Sequence, residues 1–229
     1  MPNHSTTYEF YEEAKDALIA YIEERGDIVT CWEYGTVSEP GVSDLDIIAI
    51  VKDRPSKGIA NFLLRTSLPK IVQKAMAHAN LIIVPESYKI GLLYWDNINV
   101  RDIREPKLVI ATPVNFIPRD QRYAMLVDWS IERIYRIKVY AQEGSKDQRK
   151  TLGDIKSFFL CVDNFNRLFP SIELVEFQQL KNELTEIRKN WLNTCLDKRS
   201  DVLTAFLTKC ATLAARYEEL LFAVLEHEG

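Results

Sequence analysis

Apolar side chains recur every three or four residues near the start of the chain, and then the period changes. The recurring positions are Phe10, Ala14, Leu18 and Tyr21 or Ile22. This spacing predicts an amphipathic helix over residues 8–25. The next segment, 28–34, is rich in β-branched and aromatic residues, which predicts a strand.

A second strand is expected over residues 45–51, which are apolar apart from Asp46. Such a continuous apolar run is typical of a strand that is buried on both faces. The loop 35–43 between the two strands contains the Gly, Pro and Ser residues that turns require. A helix is expected over about 55–78, kinked or split at Pro69.

The rest of this half is predicted to be extended, after which helical periodicity takes over near residue 120. The extended segments are 80–84, a hairpin of 91–94 with 98–103 that turns at Asp96-Asn97, and 107–111. Four amphipathic segments follow, with Pro170 ending the second and Ser171 placed to cap the third. The chain is therefore predicted to be of the α/β (α+β) class. A domain with a small mixed β-sheet over 1–118 precedes an antiparallel four-helix bundle over 119–229.

Composition indicates an ordered globular protein. The chain has 229 residues with 10 Phe, 10 Tyr and 4 Trp, too much apolar surface for a disordered chain. The net charge of −4 argues against attachment to long nucleic acid through bulk positive charge. No apolar run approaches the roughly 20 residues of a membrane span, and no targeting peptide is visible. We therefore expect a cytoplasmic protein without membrane contact.

The four cysteines lie far apart and have no zinc-ligand spacing, which predicts buried thiols in a reducing compartment. The informative pair is instead Asp44 and Asp46. Two residues apart at the start of a strand, they send their carboxylates to one face. Their mutual repulsion is offset by a hard divalent cation such as Mg²⁺, which binds carboxylates and substrate phosphates. The preceding Gly35 and Thr36 allow a phosphate to approach the backbone closely.

This arrangement resembles the nucleotidyltransferase superfamily related to DNA polymerase beta, most closely over residues 28–51. Gly35-Thr36 stands where the family has Gly-Ser or Gly-Gly, and Asp44-Leu45-Asp46 stands where Asp-apolar-Asp opens the second strand. Ser43 precedes the first aspartate, as in the minimal and kanamycin-type members. The order of helices and strands and the C-terminal bundle also match the antibiotic-modifying members. Thr36 departs from the usual Ser but keeps the hydroxyl.

The resemblance implies an enzyme that depends on Mg²⁺ or Mn²⁺. It would transfer a nucleoside monophosphate from a nucleoside triphosphate to a hydroxyl acceptor and release pyrophosphate. In this reading Asp44 and Asp46 bind the metal ions, while Gly35, Thr36 and Ser43 bind the phosphates.

The family also has a third carboxylate, on a later strand, which completes a two-metal site. Asp102 is the first choice because it lies in a short strand late in the predicted sheet. Asp96 and Glu86 are alternatives, although Asp96 has the character of a turn residue.

Two other readings stay open. One is a nucleotidyltransferase-like domain that has lost a catalytic ligand and serves as a nucleotide-binding or protein-interaction module. The other is a helical interaction protein that forms a homodimer through its third and fourth bundle helices. For an enzyme, the near-neutral bundle favours a small-molecule or protein acceptor over a long nucleic acid. Neither the acceptor nor the base of the triphosphate follows from the sequence.

Overall fold

The chain divides into two units, Met1–Ile117 and Pro118–Gly229. The computed structural model describes residues 7–35, 37–77, 81–94, 99–104, 108–111, 118–170, 172 and 174–228. The first unit contains both strands and helices, and long helices build the second. The protein is therefore of the α+β class with a C-terminal helical region, as the sequence predicts.

A mixed sheet organises the first unit. Its elements, in chain order, are α1 (Tyr8–Glu23), β1 (Ile28–Tyr34), β2 (Asp46–Val51), α2 (Ile59–Phe62), α3 (Lys70–Ala75), β3 (Ile82–Pro85), β4 (Asn99–Asp102) and β5 (Leu108–Ala111). The described strands pair in the order β3-β2-β1-β4-β5. β2 runs parallel to β3 and antiparallel to β1, while β4 is antiparallel to both β1 and β5.

Successive residues of β2 pack on opposite faces of this sheet. Ile47 and Ala49 are fully buried in a core that they share with α1, α2 and α3. Ile48 packs on the other face, in a smaller cluster with Trp32. The strand is therefore buried on both faces, which explains its continuous apolar run.

The helical segment predicted to be kinked or split at Pro69 is split there, because Pro69 is the N-cap of α3 and lacks an N–H for a continuous helix. Its first part is shorter than predicted and consists of α2 and a 3₁₀ turn (Arg65–Ser67). A second prediction for the first unit differs from the structure. The segment 91–94 is not a strand and belongs to a 3₁₀ helix, Glu86–Tyr94. A four-residue apolar run has too little length to separate these two structures. The predicted turn at Asp96-Asn97 lies outside the described residues.

The second unit is built around Tyr217. Its helices are α4 (Arg119–Glu143), α5 (Gln148–Leu168), α6 (Val175–Asn190) and α7 (Leu196–Glu228), with a 3₁₀ turn at Trp191–Asn193. Tyr217 is fully buried, and the rings of Phe158 and Phe165 meet it edge to face. Its hydroxyl donates to the carbonyl oxygen of Cys161 at 3.1 Å and lies 3.1 Å from the Ser130 hydroxyl. One side chain thus links α4, α5 and α7 by packing and by hydrogen bonds.

The boundaries and faces of the bundle helices differ in detail from the predictions. Ile131 is 52% exposed, although its spacing placed it on the buried face of α4, where Ser130 is found instead. α6 begins at Val175, and the predicted cap Ser171 lies outside the described residues. No helix within the described ranges combines the length and apolar character needed to cross a membrane.

The cysteines are free thiols. Cys31, Cys161 and Cys210 are buried, as predicted, whereas Cys195 is exposed. Burial raises the pKa of the Cys161 thiol to about 11, so this group stays protonated at neutral pH.

Replacing Tyr217 by Phe should lower the free energy of unfolding of the protein by about 1–3 kcal/mol, because the buried hydrogen bonds to the Cys161 carbonyl oxygen and to the Ser130 hydroxyl are lost. Chemical denaturation followed by circular dichroism measures this loss. Tyr135→Phe is the matched control, since Tyr135 is 67% exposed on α4. Equal stability of the two variants would show that the hydroxyl of Tyr217 does not stabilise the bundle.

Candidate functional site

The Asp44-Leu45-Asp46 segment leads into β2, which begins at Asp46, and its middle residue is buried. Leu45 is fully buried in the core beneath α1 and α3, and its N–H donates to the carbonyl oxygen of Ala75 at 3.0 Å. Asp44 and Asp46 are both partly exposed, with Oδ1 of Asp44 shielded from solvent. Because side chains alternate along an extended backbone, the burial of Leu45 directs the two carboxylates away from this core.

Gly35 lies beside the second carboxylate. It follows β1 directly, is exposed, and has a φ of +80°, a conformation that favours glycine. A Cβ atom placed on Gly35 would stand 3.9 Å from Oδ2 of Asp46. The glycine turn and one carboxylate of the pair thus lie next to each other. Thr36, the other predicted residue of this turn, lies outside the described residues.

Tyr34 adds a phenol to the same end of the sheet. It is the register partner of Asp46 across the β1–β2 pair, so both side chains emerge on one face. Burial and the negative charge of Asp46 raise the pKa of Tyr34 above its usual range. The phenol is therefore protonated at neutral pH, beside a carboxylate in a partly desolvated environment.

The loop that leads to Asp44 is closed by internal hydrogen bonds. Pro40 and Gly41 occupy the central positions of a turn in which the N–H of Val42 donates to the carbonyl oxygen of Glu39 at 3.1 Å. Gly41 has a φ of +84°, as a type II turn requires. Ser43 is buried, and its Oγ accepts the N–H of Glu39 at 3.1 Å. The Ser43 hydroxyl thus stabilises the loop, and the structure does not present it at the surface as a phosphate ligand.

Two tyrosines of α1 hold this loop, and neither was predicted from the sequence to do so. The Tyr8 hydroxyl donates to the carbonyl oxygen of Ser38 at 2.9 Å, and the Tyr11 hydroxyl donates to that of Ser43 at 2.6 Å. Tyr11 is buried on the helix face that was assigned to Phe10, which is only partly buried. A signal existed, because Tyr at a buried helical position indicates a polar partner for its hydroxyl.

Asp102 is held away from the aspartate pair. Its Oδ2 accepts the Thr30 hydroxyl at 2.8 Å, and its Oδ1 accepts the N–H of Arg104 at 2.8 Å. Asp102 on β4 is the register partner of Trp32 on β1, whereas Asp46 on β2 is the register partner of Tyr34. Asp102 is therefore two strands away from Asp46 and offset from it by two residues along the strands. This offset corresponds to about 12 Å between the Cα atoms. Both carboxylate oxygens of Asp102 are thus engaged by Thr30 and by the backbone at Arg104, at a position offset from Asp46 along the strands.

The other two predicted third carboxylates do not join the pair within the described structure. Glu86 follows Pro85, which pairs with Val51 at the far end of β2. Five residues of strand, about 17 Å, separate Val51 from Asp46. Asp96 lies outside the described residues.

The described donor set fits a cation that the substrate helps to hold. No group of three or more His, Cys, Asp or Glu side chains with metal-binding geometry occurs within the described residues. Magnesium is commonly bound by one or two carboxylates together with substrate phosphates and water. Asp44 and Asp46 are two such carboxylates, and Gly35, which has no side chain, lies beside Asp46.

Comparisons of this chain with protein-family models, with curated proteins and with solved structures find no significant match. Function is therefore inferred from the residues of the site and their geometry.

Replacing Gly35 by Ala should destabilise the protein by about 1–2 kcal/mol, because alanine is strained at positive φ. Gly58→Ala is a matched variant, since Gly58 has a φ of +88° with open space around it. Gly26→Ala is the unstrained control, with nothing within 4 Å of its added Cβ. Urea unfolding should give similar losses for the first two variants and none for the third. A Gly35→Ala protein as stable as the wild type would contradict the described turn.

Proposed function

We propose that the protein binds a nucleoside triphosphate together with Mg²⁺, or Mn²⁺, at the start of β2. We further propose that it transfers the nucleoside monophosphate to a hydroxyl acceptor. The acceptor would be a small molecule or a protein, because a net charge of −4 gives no bulk attraction to a long nucleic acid.

One observation carries this proposal. Asp44 and Asp46 flank the fully buried Leu45 and remain partly exposed, and Asp46 adjoins Gly35, which has no side chain. Two carboxylates that converge on one point repel each other unless a cation or a proton offsets their charge. The exposed Gly35 beside Asp46 leaves room for an anionic ligand, such as a phosphate, that binds together with the cation.

Each residue has a distinct part in this scheme. Asp44 and Asp46 would hold the cation. When bound, the cation would neutralise negative charge on the phosphates and on the leaving pyrophosphate. Gly35 would let a phosphate approach the backbone, where peptide N–H groups provide further hydrogen bonds. Tyr34, protonated beside Asp46, is placed to donate a hydrogen bond on the same face of the sheet.

The proposed transfer is a substitution at phosphorus. The acceptor oxygen forms a bond to the α-phosphorus, and the bond from that phosphorus to the oxygen bridging to the β-phosphate breaks. Pyrophosphate leaves, and the hydroxyl proton passes to solvent. The contribution of the chain is to position the triphosphate and to neutralise its charge, as in other phosphoryl transfers.

A second candidate function is nucleotide binding without transfer. The position of Asp102 favours it, because the side chain that was expected to complete a two-metal site is bonded to Thr30 and to the backbone at Arg104. In this case the same pair of aspartates would bind the metal–nucleotide complex, and the protein would act as a sensor.

Replacing Asp44 and Asp46 by Asn, singly and together, should weaken the binding of Mg²⁺ with a non-hydrolysable triphosphate. We expect about 10- to 100-fold for each single change, since a charged ligand is lost. Isothermal titration calorimetry measures the affinity. Transfer of a labelled α-phosphate, with release of pyrophosphate, distinguishes the enzyme from the sensor.

Two further variants serve as controls for this prediction. Asp53→Asn alters an exposed carboxylate just beyond the other end of β2, where Oδ1 accepts the N–H of Ser87, and should leave affinity unchanged. Asp102→Asn should lower stability without loss of nucleotide affinity. Wild-type affinity in the Asp44/Asp46 double variant would refute the role that we propose for the pair.

A further inference from the structure

Both peptide groups that flank Asp44 are tied to residues outside the loop. The carbonyl oxygen of Ser43 accepts the Tyr11 hydroxyl at 2.6 Å, and the N–H of Leu45 donates to the carbonyl oxygen of Ala75 at 3.0 Å. Peptide groups are planar, so anchoring one on each side of a residue restricts the two backbone rotations between them. The direction in which the Asp44 side chain leaves the backbone is restricted accordingly.

The Tyr11 hydroxyl forms the first of these two hydrogen bonds and also bonds the turn at Gly41. The Tyr11 oxygen also accepts the N–H of Gly41 at 3.2 Å, while its side chain is only 1% exposed. The phenol therefore connects the turn at Gly41 to the peptide that precedes Asp44. The ring itself belongs to the core beneath the sheet, where Ala14 and Leu18 follow it along the same helix face.

We propose that Tyr11 is a positioning residue, which sets the orientation of Asp44 for the cation through the Ser43 peptide. This inference rests on the proposed function. A phenylalanine would fill the same volume, so the packing of the ring does not require the hydroxyl. Without the Tyr11 hydroxyl, the loop would lose these two hydrogen bonds.

The chain contains a matched control on the same helix. The Tyr21 hydroxyl donates to the carbonyl oxygen of Phe62 at 3.0 Å, and its ring stacks on that of Phe62. Tyr21→Phe thus removes a phenol-to-carbonyl hydrogen bond of α1, as Tyr11→Phe does, but at the other end of the helix. Both variants are expected to lose stability, whereas a change at the aspartate pair is expected only in Tyr11→Phe.

The experiment compares wild type, Tyr11→Phe and Tyr21→Phe by two measurements. Amide hydrogen exchange in the ligand-free protein should become faster at Gly41 and neighbouring loop amides in Tyr11→Phe only. Calorimetric titration with Mg²⁺ and a non-hydrolysable triphosphate should show affinity about tenfold weaker in Tyr11→Phe and unchanged in Tyr21→Phe. This size is typical when a group that orients a metal ligand is removed.

The failures of the two proposals are distinguishable. If wild type and Tyr11→Phe bind the metal–nucleotide complex equally, the positioning role is refuted while the proposed function stands. Equal weakening in Tyr11→Phe and Tyr21→Phe would also refute it, because general destabilisation would then explain the effect. If wild type binds no complex, the proposed function itself is contradicted and the positioning role fails with it.

Discussion

The burial of Leu45 is the constraint on which the site depends. Its side chain is fully enclosed, and burial of a leucine of this kind stabilises a protein by about 1.5–3 kcal/mol. A shift of β2 by one residue would expose this side chain and drive carboxylates into the core, which is far less favourable. The fold thus presents Asp44 and Asp46 on one side because the apolar residue between them is required on the other. The chemistry of the site is a consequence of strand register.

The helix beneath the sheet extends this constraint to the loop. α1 contributes buried side chains to the core that holds Leu45, and two of its tyrosine hydroxyls bond backbone carbonyls of the loop. The same helix therefore stabilises the sheet and orders the approach to Asp44. Loops often carry function on a rigid scaffold, and here hydrogen bonds from the buried Tyr11 and the exposed Tyr8 supply the connection.

The local sequence pattern was sufficient to predict an element where a single physical cause determines its structure. The β1 segment and the apolar run of β2 are found as predicted, because β-branched residues and burial on both faces leave little alternative. The side-by-side arrangement of Gly35 and Asp46 also agrees with the spacing of the motif. Strand order and long-range hydrogen bonds have no such local signal. Asp102 was chosen by its place in the sequence, whereas its distance from Asp46 depends on β1 lying between β2 and β4.

The most direct test of the account is to locate a bound cation. Crystals grown with Mn²⁺ and a non-hydrolysable nucleoside triphosphate would reveal the metal by its anomalous scattering. The account predicts a peak at about 2.0–2.2 Å from a carboxylate oxygen of both Asp44 and Asp46, bridged to phosphate oxygens beside Gly35. A nucleotide-bound crystal in which the metal lies away from both aspartates would contradict it.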